Sequence, residues 1–84
     1  MLYLDLRPLS INTTGMITGY ENDGVNLNHG FVRYRDGTVM ILDAPGAGTG
    51  FQQGTIADSI NAGGQITGWY IDATNLRHGF LWTP

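Results

Sequence analysis

The sequence predicts an all-β fold of antiparallel four-stranded repeats of the β-propeller-blade type, about two blades to the chain. Three observations carry this expectation. A segment recurs at a constant offset of 49 residues, glycine is abundant, and apolar residues fall in short alternating runs. A period near 50 belongs to blade-like arrays, in which one supersecondary unit cannot bury its own faces. Glycine occupies 13 of the 84 positions, and each costs about 1 kcal/mol in a helix interior. No helical period is present, so bundles and coiled coils are excluded.

The repeat defines the units. Ser10-Ile-Asn-Thr-Thr-Gly-Met-Ile-Thr-Gly19 returns as Ser59-Ile-Asn-Ala-Gly-Gly-Gln-Ile-Thr-Gly68. Asp23, Asn26, Leu27, His29, Gly30 and Phe31 return as Asp72, Asn75, Leu76, His78, Gly79 and Phe80. Of the 25 aligned pairs from Ser10 to Tyr34, 13 are identical.

Within each unit, a hairpin joins Ser10-Ile-Asn12 to Met16–Tyr20, turning at Asn12-Thr-Thr-Gly15; its copy turns at Asn61-Ala-Gly-Gly64. Asparagine and glycine suit such turns because both tolerate positive φ. A polar loop, Glu21–Asn28 or Asp72–Arg77, leads to a His-Gly-Phe strand. Phe31–Arg35 and Thr38–Asp43 flank Asp36-Gly37, a dipeptide favoured in two-residue type I′ hairpins. That register places Val32, Tyr34, Val39 and Ile41 on one face and Phe31, Arg33, Met40 and Leu42 on the other. Both faces carry apolar residues, so cover is expected on both sides. Further strands are expected at Ile56–Asn61, Gln65–Ile71 and His78–Trp82.

The chain reads as a single repeat domain over residues 1–84. A first repeat covers about 10–43 and a second, partial repeat about 56–84. Leu2-Tyr-Leu-Asp5 imitates Met40-Ile-Leu-Asp43, so residues 1–6 are expected to form a strand that completes a blade. Two blades cannot close a ring. Self-association as a trimer or tetramer, or packing against neighbouring repeats of a longer chain, is the expected remedy.

Composition narrows the function. Forty-two per cent of residues are hydrophobic and the net charge is −3, a balance suited to a folded chain rather than a disordered one. The four cations are all arginine and form no stripe that could track phosphates, which argues against nucleic acid as partner. Cysteine is absent, excluding disulfides and thiolate chemistry. No apolar run approaches the length of a membrane span, and the start, Met1-Leu-Tyr-Leu-Asp-Leu-Arg7, lacks the pattern of a signal peptide.

Three segments together resemble the HAF-type extracellular repeats of bacteria. They are Gly37-Thr-Val-Met-Ile-Leu-Asp-Ala-Pro-Gly-Ala47, Ser59-Ile-Asn-Ala-Gly-Gly-Gln-Ile-Thr-Gly-Trp-Tyr70 and His78-Gly-Phe-Leu-Trp82. The resemblance covers nearly the whole chain from Ser10 onward. It implies a propeller-like array in a secreted or surface protein, and it supplies no catalytic residues to carry over. The linker Gly46–Asp58 is longer than the usual loop of that family.

Candidate functional residues follow from chemistry. Trp69 and Tyr70 offer flat apolar faces with polar tips, suited to carbohydrate; as neighbours on a strand they face opposite ways. Asp72, Asn75 and Arg77 border them, and the glycine-rich loop from Pro45 to Gly54 adds Phe51 and Gln52. These seven residues form the expected ligand surface. The loop has no Gly-Lys-Ser/Thr and no following helix, so it is not a phosphate cradle.

His29 and His78 lack ligand-spaced partners for a metal and are expected to hydrogen-bond between strands. Asp23 with Asn26, and Asp72 with Asn75, fall short of the six to eight oxygens calcium requires. No catalytic residues, metal or cofactor are assigned. The expected function is a non-enzymatic binding or scaffold module, with carbohydrate or a small molecule as ligand. The alternative is a hydrolase or lyase with its site at a ring centre or subunit interface.

Overall fold

A computed structural model describes residues 6–22 and 27–84. Seven strands are present among them: β1 (Leu6–Ile11), β2 (Ile17–Asn22), β3 (Asn28–Arg33), β4 (Val39–Leu42), β5 (Gly54–Ile60), β6 (Ile66–Ile71) and β7 (Arg77–Trp82). The fold is all-β, with no helix among the described residues. β1 to β4 form an antiparallel meander in chain order, and β5 to β7 form a second one. The two join through a single parallel bridge, Asn28↔Gly54. The sheet is therefore mixed and curled rather than wholly antiparallel. Leu2–Asp5, Asp23 and Asn26 lie outside the described residues.

The 49-residue offset survives in the backbone. β1 shifts register between Pro8 and Ser10, and β5 shifts between Ala57 and Ser59. The extra residues, Leu9 and Asp58, occupy equivalent repeat positions. A bulge of this kind bends a strand and re-aims a side chain. The strand expected at Ser10–Asn12 therefore begins earlier, at Leu6, and ends at Ile11. Pro8 is tolerated there because β1 lies at a sheet edge, where a missing N–H breaks no ladder.

Four hairpins share one turn. In each, the amide of the first residue donates to the carbonyl four residues on, and the fourth residue donates back to the first: Asn12–Met16, Tyr34–Thr38, Asn61–Gln65 and Asp72–Leu76. The fourth residue has positive φ every time: Gly15, Gly37, Gly64 and Asn75. This is a type I turn with a glycine-type bulge. It replaces the two-residue type I′ turn expected at Asp36-Gly37, because Asp36 does not take the positive φ that type I′ requires.

The extra residue slips the register, and a slip of one exchanges the partners across the hairpin. Val32 now pairs with Met40 and Gly30 with Leu42, while Phe31 pairs with Ile41. Phe31 and Val32 are both buried, so β3 is covered on both faces as expected, whereas Ile41 is exposed.

The core lies between the repeats. Val32 and Leu42 from the first repeat meet Ala57, Ile60 and Ile66 from the second, flanked by Met16, Tyr34, Met40, Phe80 and Trp82. Gly30 makes the close approach possible. A Cβ there would stand 2.6 Å from the Leu42 carbonyl oxygen and 3.2 Å from the Thr55 methyl.

Candidate functional site

The same alternation that buries Ala57 on one side of β5 turns Gly54, Ile56 and Asp58 to the other. There they line an open cleft of about 370 Å³ between the repeats, within the size range of small-ligand sites. Tyr20 and Asn28 face it from the first repeat, and Trp69, Ile71 and Arg77 from the second. Leu9 and Asp58, the two bulge residues, both line it. Tyr20 and Trp69 are repeat counterparts, so the cleft carries two aromatic rings at equivalent positions.

Each ring has an arginine over it. Arg77 Cζ lies 5.0 Å from the Trp69 ring centroid, and Arg7 Cζ lies 5.8 Å from that of Tyr20. Such pairs stabilise by about 0.5–1 kcal/mol at exposed sites. The arginines come from non-equivalent places: Arg7 sits opposite Tyr20 on β1, whereas Arg77 stands on β7 diagonal to Trp69. The cleft thus offers flat apolar surface beside the Arg77 guanidinium, the Asp58 carboxylate and the Asn28 amide.

The expected ligand surface divides in three. Trp69 and Arg77 enter the cleft together. Tyr70 faces the other side, as strand alternation requires, and stacks on His78 with ring centroids 4.9 Å apart. His78 Nε2 bonds the Asp72 carboxylate at 2.8 Å. Asp72 also accepts from the amides of Thr74 and Leu76 and from the Thr74 hydroxyl. The Thr74 hydroxyl foremost, then His78, holds its carboxyl well below the usual carboxylate range. These bonds pin the turn before β7.

Asn75 is used inside the protein. Its side-chain oxygen accepts from Gln53 Nε2 at 2.9 Å, while Gln53 Oε1 accepts from the Gly50 amide at 2.9 Å. Gln53 is buried, and the Gly48 amide donates to the Ile71 carbonyl at 2.8 Å. The glycine-rich loop is therefore docked on the β6–β7 hairpin, not loose. Phe51 and Gln52 stand exposed at its tip and do not line the cleft.

The two histidines occupy equivalent strand positions, opposite Glu21 and Tyr70. His29 Nδ1 meets Asp43 at 3.0 Å, and His78 Nε2 meets Asp72 at 2.8 Å. Among the described residues no hydroxyl bonds to His78, and no three His, Cys, Asp or Glu side chains gather in a way that could hold a metal ion.

Sequence reasoning passed over Leu9, Asn28, Gln53, Ile56, Asp58 and Ile71. The repeat offset linked Tyr20 to Trp69 as equivalent positions, but it does not say that the two rings share one cleft. Searches against protein-family models, curated proteins and solved structures return no match for this chain.

Proposed function

We propose that the protein is a non-enzymatic binding module of a secreted or surface protein, built from propeller-type blade repeats, and that its inter-repeat cleft takes a carbohydrate. The observation that carries this is the pair of equivalent rings, Tyr20 and Trp69, on one cleft with arginine and carboxylate groups beside them. A sugar has apolar C–H faces and a rim of hydroxyls. The first suits aromatic faces; the second suits the Asp58 carboxylate and the Arg77 and Asn28 donors. The blade reading draws support from the four-stranded meander β1–β4 and from the matching bulges and turns of the two repeats. The secreted or surface setting rests on the resemblance to HAF-type repeats.

Calorimetry of the protein against a panel of soluble oligosaccharides tests the reading. At least one is expected to bind, and Trp69→Ala is expected to weaken it by tenfold or more, since truncating a buried tryptophan anchor at a binding site costs about 2 kcal/mol or more. Tyr70→Ala, on the other face, should leave affinity unchanged. Binding that survives Trp69→Ala but is lost in Tyr70→Ala would move the site to the opposite face.

A further inference from the structure

The two repeats are alike in sequence but differ in burial at several equivalent positions. On one face of the first repeat, Thr18 and Val32 are wholly buried and Gly30 is covered, because the second repeat packs there. Their counterparts Thr67, Leu81 and Gly79 pair across β6 and β7 in the same register, yet all three are exposed, Leu81 by 62%. On the opposite face the asymmetry reverses at the β1–β2 hairpin, while Phe31 on that same face stays buried. Ile60 is 9% exposed and Ile66 wholly buried, packed against the first repeat. Their counterparts are Ile11, 65% exposed, and the half-buried Ile17.

Each molecule therefore presents one copy of each half of its own internal interface. The Thr67–Leu81 face has the residue types of the face that accepts a repeat. The Ile11–Ile17 face has those of the face that is accepted. Shallow depressions mark both. One is lined by Ser59, Gln65, Thr67 and Leu81, and the other by Pro8, Leu9, Ile11 and Ile17. From this we infer that the Thr67–Leu81 face of one chain packs against the Ile11–Ile17 face of a second copy, reproducing the internal contact between chains. The two surfaces differ, so the contact is head to tail, and such contacts close into rings when the rotation permits.

Sedimentation equilibrium with two face-specific variants tests this. Leu81→Glu and Ile11→Glu alter exposed side chains on opposite faces, and circular dichroism checks that each remains folded. The wild-type chain should sediment as a multiple of its 9.1 kDa mass. Each variant alone should be monomeric. An equimolar mixture of the two should form a dimer of twice the chain mass, because each supplies the face the other has lost. Three results would overturn the inference: a wild-type monomer at millimolar concentration, Ile11→Glu still associating alone through a like-with-like contact, or a mixture that does not pair. Should either variant unfold, Thr67→Arg and Ile41→Arg address the same two faces.

Discussion

Asp72 does more in this protein than any other carboxylate that the described residues contain. One oxygen gathers the Thr74 hydroxyl and the amides of Thr74 and Leu76, and the other takes His78. All of these bonds favour the ionised carboxylate, so its folded-state pKa lies below its unfolded value. The sign is then fixed: the stabilisation is fully present above about pH 4, the ordinary aspartate value, and is lost as pH falls through the depressed folded value. In an NMR titration, the Asp72 carboxyl carbon should still report the charged form at about pH 3, with the Thr74 and Leu76 amides unshifted. A midpoint in the ordinary aspartate range would show that the turn does not hold the carboxylate in this way. Gln53 is the second residue with several duties, tying the long loop to Asn75 and thereby to the same turn.

Hairpin turns are where local sequence and local structure agree best, and also where reading by dipeptide misleads. Asn12 and Asn61 announce their turns because their side chains accept amides two to four residues on. Asp36-Gly37 announces a turn too, but the motif does not say whether one residue or two will take positive φ. The Asp36 carboxylate settles it by accepting the Thr38 amide, and the register follows. Positions of β2 and β4 to β7 were legible from alternation to within a residue or two, whereas β1 starts four residues before the expected Ser10 and β3 three before the expected Phe31. The bulges at Leu9 and Asp58 were not, since no local pattern distinguishes an extra residue in a strand from a residue in a loop.

Neighbouring glycines in the Asn61–Gln65 turn provide a test at this scale. Gly64 has φ of +84°, where an L-residue is disfavoured by about 1–2 kcal/mol. Gly63 lacks positive φ, and a Cβ there would meet only the Asn61 side chain, at 3.6 Å. In urea unfolding, Gly64→Ala should therefore destabilise by about 1 kcal/mol or more. Gly63→Ala should be neutral or stabilise by about 0.4–1 kcal/mol through the unfolded chain. Equal effects would refute the turn assignment.

At the level of the whole molecule, one packing event creates core and cleft together. β5 sets Ala57 and Ile60 against Val32 and Leu42, and the same strand turns Ile56 and Asp58 toward Tyr20 and Trp69. The repeat and the all-β class were legible because they depend on spacing alone. The cleft was not, because it depends on where β5 lands on the first repeat, a contact between distant parts of the chain. The seven expected site residues are accordingly dispersed: Trp69 and Arg77 in the cleft, Tyr70 and Asp72 behind it, Asn75 committed to Gln53, and Phe51 and Gln52 at a loop tip.

The two tryptophans allow the most direct test, since Trp69 faces the cleft and Trp82 packs against the core. Each gives one indole N–H signal in a nitrogen–proton correlation spectrum. On titration with a binding oligosaccharide, the Trp69 signal is predicted to shift progressively to saturation while the Trp82 signal stays in place. Saturable binding that shifts Trp82, or neither indole, would contradict the assignment of the cleft as the binding site.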